Sequence, residues 1–168
     1  LWVATSQSRK TDKGGVIYRL DPANLDITQA IHSDVKPFGA AINQKTQTLW
    51  FGNTVNGSVT AVDAKTGDIK GHVVLDARKR SDTVRPLSPR ELVVDDTTNT
   101  VYVTGVGNES AIWVIDGAAM TLKNTIANTG TYSTGLALDA AAKRLYSTNG
   151  DGELLTIDTA TNKIIDRK

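Results

Sequence analysis

Leu49-Trp50-Phe51-Gly52-Asn53 is one of four related signatures that recur along the chain and decide its fold. The other three are Leu1-Trp2-Val3-Ala4-Thr5, Val101-Tyr102-Val103-Thr104-Gly105 and Leu145-Tyr146-Ser147-Thr148-Asn149. Their aromatic residues are 48, 52 and 44 positions apart. A repeat at this period is typical of β-propeller blades, whereas a β-sandwich has short strands but no such internal repeat.

Two further elements recur with each signature. A second apolar run ends in an aspartate in every unit, at Asp21, Asp63, Asp116 and Asp158. A third run precedes three signatures, and the same gap of 8 residues separates Ile42 from Trp50, Val94 from Tyr102 and Leu138 from Tyr146. A short apolar run also ends each unit. The pattern therefore predicts four strands per unit, A to D, joined by turns rich in Asn, Asp and Gly.

We therefore predict an all-β chain of propeller blades, without helices. It comprises about three and three-quarter four-stranded antiparallel blades, at approximately 1–32, 36–76, 88–127 and 133–168. The aromatic residue of each signature is predicted to pack between blades, because it shares a strand face with the residues two positions away. Each aspartate is predicted to accept hydrogen bonds from N–H groups of the turn that follows strand C.

Composition excludes several classes of protein. The 168 residues are 39% hydrophobic and 22% charged, with a net charge of +1, so the chain is neither disordered nor grossly basic. Cysteine is absent, which excludes a disulfide scaffold, a zinc-thiolate site and a cysteine nucleophile. No run approaches the 18 apolar residues of a membrane span. The start at Leu1, without Met or a signal peptide, leads us to expect a mature fragment or an internal piece.

The signatures resemble those of the YVTN-repeat propellers, most closely in Tyr102-Val103-Thr104-Gly105 and Tyr146-Ser147-Thr148-Asn149. Members of this type are seven-bladed and periplasmic after removal of their signal peptide. The resemblance therefore implies that the chain forms about half of a ring. It also implies that the chain pairs with the remaining blades of the same protein or with a second copy.

Catalytic, cofactor and metal motifs are not found. There is no Gly-x-Ser-x-Gly, and the two histidines, His32 and His72, have no motif partner. The stretch from Gly105 to Ser110 lacks the third glycine of a dinucleotide fingerprint, and no helix follows it. The stretch from Asn149 to Glu153 is interpreted as a tight turn rather than a calcium loop. We predict a protein that is not an enzyme and that has no cofactor.

One face of the blades is the candidate binding surface. The strand order places the D–A and B–C loops on this face, which is more basic, and the A–B and C–D loops on the other, which is more acidic. It also carries the two longest loops, 6–15 and 77–89, and long loops on a rigid scaffold often hold binding residues. The candidate nucleic-acid-binding residues are Arg9, Lys10, Lys36, Arg78, Lys79, Arg80, Arg85, Arg90 and Tyr132.

These residues suggest a ligand class. Arginines and lysines in a row can follow a phosphate chain, and Tyr132, with Phe38, can stack on bases. We predict a periplasmic binding protein for single-stranded DNA or another anionic ligand, and nucleic-acid binding is also suspected for propellers of this type. A solvated loop is the alternative explanation for the charges, and a protein–protein scaffold is the alternative function.

Overall fold

The computed structural model describes residues 1–5, 14–33 and 36–168, and this part of the chain is built from strands without a helix. Blade 1 contains β1 (Trp2–Thr5), β2 (Val16–Leu20) and β3 (Ile27–His32). Blade 2 contains β4 (Pro37–Asn43), β5 (Thr48–Asn53), β6 (Ser58–Asp63) and β7 (Ile69–Val74). No helix long and apolar enough to cross a membrane occurs among the described residues.

The second half of the chain repeats this pattern. Blade 3 contains β8 (Ser88–Asp95), β9 (Thr100–Val106), β10 (Ala111–Asp116) and β11 (Thr121–Ile126). Blade 4 contains β12 (Gly135–Asp139), β13 (Arg144–Thr148), β14 (Leu154–Asp158) and β15 (Lys163–Arg167). Each blade is an antiparallel sheet in which neighbours in sequence are neighbours in space. The prediction of one incomplete and three complete propeller blades is confirmed.

The hydrophobic core lies between the blades. In β5, Leu49 and Phe51 pack with Ile17 of blade 1, whereas Trp50, which is 0% exposed, packs with Val101 of blade 3. Successive side chains of a strand point to opposite faces, so a single strand supplies both interfaces of its blade. All six residues of β5 are buried for this reason.

The next interface is built in the same way. Tyr102 on β9 packs with Leu145 and Ile157 of blade 4, and Trp2 packs at the edge of the cluster between blades 1 and 2. The predicted packing of Trp50 and Tyr102 between blades is confirmed. Tyr146 is half-buried and follows Leu145, which faces blade 3, so it lies on the opposite face of blade 4.

The aspartates that end strand C organise the turns after them. One carboxylate oxygen of Asp63 accepts hydrogen bonds from the backbone N–H groups of Lys65 (2.8 Å) and Thr66 (3.1 Å). Asp116 and Asp158 bind two N–H groups of their own turns in the same way, and Asp21 binds one. These bonds favour the charged carboxylate, and they lower the pKa of Asp63, Asp116 and Asp158. The predicted role of the aspartates is confirmed.

Removing the Trp50 ring is expected to destabilise the fold. The Trp50→Ala variant should lose about 3–5 kcal/mol of unfolding free energy, because removal of a buried aromatic ring leaves a cavity. Urea denaturation measures the loss, and Phe38→Ala, which removes a ring that is 52% exposed, is the matched control. Equal stability of the two variants would contradict the interior position of Trp50.

The turn carboxylates are expected to make stability depend on acid pH. Since their native pKa values are lowered, their contribution is present above the unfolded value of about 3.9 and is lost as pH falls through the native values. The triple variant D63N/D116N/D158N keeps an oxygen acceptor but cannot titrate. Its unfolding free energy, measured by urea denaturation from neutral to acid pH, should fall less steeply than that of the wild type. Parallel curves of unfolding free energy against pH would show that these carboxylates do not cause the acid dependence.

Candidate functional site

Two adjoining hollows open on the face of the D–A and B–C loops. The larger, of about 740 Å³, is lined by Arg78, Arg80, Thr83, Val84, Arg85, Pro86, Leu87, Ser88, Val106, Gly107, Asn108, Glu109 and Tyr132. The smaller, of about 320 Å³, is lined by Lys36, Thr54, Val55, Arg80, Arg85, Ser88 and Arg90. Arg80, Arg85 and Ser88 line both hollows, which therefore form one continuous depression, here called the basic cleft.

The structure brings together most of the predicted site residues. The members that line the basic cleft are Lys36, Arg78, Arg80, Arg85, Arg90 and Tyr132. Lys79 lies on the same loop but lines neither hollow. Arg9 and Lys10 lie outside the described residues. The cleft extends across three blades, because Lys36 precedes β4, the long loop joins β7 to β8, and Tyr132 precedes β12.

Asp76 fixes the long loop between β7 and β8. Its carboxylate, 7% exposed, accepts hydrogen bonds from the backbone N–H groups of Arg78 (3.1 Å) and Leu87 (2.8 Å), near the two ends of the loop. It also pairs with the Arg78 guanidinium, with 2.5 Å between Nη2 and Oδ2. Burial opposes ionisation, but the bonds from Arg78 and Leu87 outweigh it and lower the pKa of Asp76. Arg78 is therefore a cation with an internal partner.

The remaining cations of the cleft have no such partner. Lys36, Arg80 and Arg85 make no side-chain hydrogen bond or ion pair with a described residue. Among the described lining residues, Glu109 is the single acidic one. Within the described part of the chain, the cleft thus presents unneutralised positive charge, which attracts an anion and leaves donors available for it.

Arg90 is held against an aromatic ring at the inner edge of the blades. Its guanidinium carbon lies 4.6 Å from the centre of the Phe38 ring, a cation–π contact. Both residues lie four positions before the A-strand residues Ile42 and Val94, so they occupy equivalent sites in blades 2 and 3. Register shifts in the A–B pairings of both blades span these positions, and β-bulges commonly redirect side chains in this way.

Gly39 allows the two bulges to touch. A Cβ atom at this position would lie 1.7 Å from the carbonyl oxygen of Arg90, a separation that no side chain can adopt. The backbone of blade 2 therefore approaches that of blade 3 directly. The position of Arg90 in the cleft depends on a glycine in the neighbouring blade, a dependence that the sequence repeat did not reveal.

Tyr132 lies in a loop and has a strained backbone conformation. Its backbone has φ of 47°, its N–H donates to the carbonyl oxygen of Gly107 (2.8 Å), and the residue is 56% exposed. Beneath the loop, the buried hydroxyl of Ser110 bonds the backbone of Gly107 and of Ser133. This hydroxyl network fixes the two loops to each other, and Ser110 was not among the predicted site residues.

Comparison with known proteins shows where this architecture occurs. No family model matches the chain. YncE of Salmonella typhi and YncE of Salmonella typhimurium are each 71% identical to it over 168 residues, and YncE of Escherichia coli K12 is 70% identical. The chain closely resembles YncE. The match covers 100% of the chain and 48% of each of these YncE sequences, so the chain spans about half of their length.

Among solved structures, hydrazine synthase of Kuenenia stuttgartiensis superposes with a TM-score of 0.76 at 19% identity. The superposition covers 91% of this chain and 42% of the other, and at this identity it bears on the fold alone. The propeller fold that the aromatic signatures indicated is confirmed by this neighbour, and the YncE match extends over the whole of the chain.

Loss of Asp76 is expected to release the long loop. The Asp76→Ala variant removes a buried, charge-assisted network, whose bonds contribute about 1.5–3 kcal/mol each, so local opening should increase by about tenfold or more. Limited proteolysis with trypsin measures this, because Arg78, Lys79 and Arg80 are cleavage sites. Asp82→Ala, in an exposed position of the same loop, is the control. Cleavage of both variants at the wild-type rate would show that Asp76 does not hold the loop.

Proposed function

We propose that the chain is part of a binding propeller whose basic cleft holds an extended polyanion, with single-stranded DNA as the specific candidate. The observation that carries the proposal is the convergence of cations from three blades on one continuous depression. Lys36, Arg80 and Arg85 have no anionic partner among the described residues, so a phosphate chain can replace water around them.

The aromatic residues favour a single strand over a duplex. Tyr132 lines the larger hollow with its ring exposed, and Phe38 lies beneath Arg90 at the smaller one. Unpaired bases can stack on such rings and on an arginine plane, whereas bases inside a duplex cannot reach them. Cations that follow a backbone, combined with exposed rings, are the usual arrangement for binding single strands without a strict sequence preference.

The proposal is one of binding rather than catalysis. The lining supplies guanidinium and ammonium donors, an exposed aromatic ring and backbone groups, which are suited to holding phosphates and bases. A protein partner is the second candidate, and the apolar residues Val84 and Leu87 in the larger hollow favour it, since an acidic peptide with apolar side chains would match both kinds of contact.

The cellular setting is proposed from the resemblance to YVTN-repeat propellers. On that basis we place the protein in the periplasm, and we propose that further blades complete a seven-bladed ring around the four seen here. Release of the protein by osmotic shock together with a periplasmic marker would support this location. Retention with a cytoplasmic marker would refute it.

Charge reversal in the shared wall of the cleft is expected to weaken binding of single-stranded DNA. In R80E/R85E the slope of log affinity against log salt should fall by about 0.7 per lost phosphate contact, or about 1.4 in total. Fluorescence anisotropy with a labelled oligothymidylate at several salt concentrations measures it.

Lys79→Glu is the matched control, because Lys79 lies on the same loop but outside the cleft. It should change the slope less than R80E or R85E does when each is tested singly. Equal effects of K79E and the arginine reversals would indicate a diffuse charge effect and would contradict a defined site. Absence of DNA binding at low salt, with one stoichiometric protein partner recovered from periplasm, would favour the second candidate.

A further inference from the structure

A second hollow lies on the opposite face of the blades, where the A–B and C–D turns meet. It occupies about 650 Å³ between blades 3 and 4, and Tyr102 contributes to its wall. Its volume is within the range of about 300–1,000 Å³ typical of small-molecule sites. The hollow shares no lining residue with the basic cleft.

The corresponding gap between blades 2 and 3 is bridged by hydrogen bonds. Three of them join the A–B turns of the two blades, from Asn43 Nδ2 to Asn99 Oδ1 (2.8 Å), from Gln44 N to Asp96 Oδ1 (3.1 Å) and from Lys45 Nζ to Thr97 Oγ1 (3.1 Å). The acceptors all belong to the turn of the later blade. This gap shows how the repeat fills the space when its turns carry polar side chains.

Blade 4 lacks all three of these acceptors, because Lys143 stands at the position equivalent to Asn99. Counting from the A-strand residues Val94 and Leu138, the positions equivalent to Asp96 and Thr97 are Ala140 and Ala141. Their methyl groups cannot accept a hydrogen bond and leave the volume unfilled, and both residues line the hollow. The same scaffold therefore has a closed gap in one place and an open one in the next.

The open gap contains two ammonium groups, and that of Lys123 acts on Asp116, whose pKa is lowered by N–H groups of its own turn and, less strongly, by this charge. Lys123 and Lys143 line it, and neither makes a side-chain hydrogen bond or ion pair with a described residue. In blade 2 the lysine equivalent to Lys123 is Lys70, which donates to the hydroxyl of Thr48 (2.9 Å). Both ammonium groups of the hollow are thus available to a ligand.

The rest of the lining consists of three alanines, one aromatic residue, one carboxylate and the threonines Thr97, Thr98, Thr100 and Thr159. Ala140, Ala141 and Ala160 present methyl groups, and Tyr102 is buried, with Thr159 beside it in the lining. The single carboxylate, that of Asp95, accepts hydrogen bonds from N–H groups of its own turn at 2.8 and 3.2 Å. A ligand here would meet methyl groups, threonine hydroxyls and an aromatic residue beside the two ammonium groups.

We propose that this hollow is a second ligand site, which takes a small organic carboxylate with an apolar body. The carboxylate would pair with Lys123 and Lys143, and the apolar body would cover Ala140 and Ala141. Hydrogen bonds between charged groups are stronger than those between neutral groups. Burial of the apolar body adds affinity without further hydrogen-bond partners. The proposal is independent of the function assigned to the basic cleft.

Phenylacetate is the probe that tests the site, and 2-phenylethanol, which keeps the ring but lacks the charge, is its neutral counterpart. Isothermal titration calorimetry on the purified protein should show saturable phenylacetate binding. NMR chemical-shift mapping should show chemical-shift changes at Tyr102 and Ala140. The neutral compound should bind about tenfold or more weakly, as expected for loss of charge-assisted hydrogen bonds.

Two variants and one control separate the site from general surface binding. A140D/A141T copies the turn of blade 3 and should close the gap, and K123Q/K143Q removes both cations without reducing the volume. Each should weaken phenylacetate binding about tenfold or more, whereas Lys70→Gln should leave it within about twofold. No saturable binding, unchanged affinity in K123Q/K143Q, or shifts confined to the basic cleft would overturn the proposal. If A140D/A141T does not fold, the lysine variant alone decides.

Discussion

The alternation of side chains along strand B is the constraint on which the rest of the structure depends. Each blade must bury both faces of its sheet. A strand can pack against both adjacent blades only if its odd-numbered and its even-numbered residues are apolar. Leu49 and Phe51 face one way and Trp50 faces the other. This packing sets the position of each blade relative to the next, and with it the distances between loops that belong to different blades.

The basic cleft follows from this arrangement. Its cations come from loops that are far apart in sequence, and they meet because consecutive blades present equivalent turns side by side. The repeat supplies the positions, but the chemistry comes from residues that differ between repeats, such as Phe38 and Arg90 at one equivalent site. A scaffold of this kind keeps its framework constant while each blade contributes a different side chain to a shared surface.

Repetition is also the reason that the fold could be predicted from sequence and the details of the site could not. The aromatic signature and the turn aspartate each occur four times with similar spacing. This repetition made the strands, the inter-blade packing and the turn hydrogen bonds predictable. The role of Asp76 depends on Arg78 and Leu87 being brought together by the loop that it closes, and nothing in the repeat indicates that contact. The hollow at Ala140 depends on acceptors that blade 4 lacks, and the repeat alone does not show that Asp96 and Thr97 bond the neighbouring blade.

The unequal gaps between blades have a mechanical consequence. Where Asn43 and Lys45 join blade 2 to blade 3, separating the blades requires breaking polar bonds as well as exposing apolar surface. At Ala140 and Ala141 the first of these resistances is absent, and the gap already admits water-sized groups. On this face the turns of blades 3 and 4 can therefore separate with less resistance than those of blades 2 and 3, whereas on the opposite face the Ser110 hydroxyl still ties the loop entering blade 4 to blade 3.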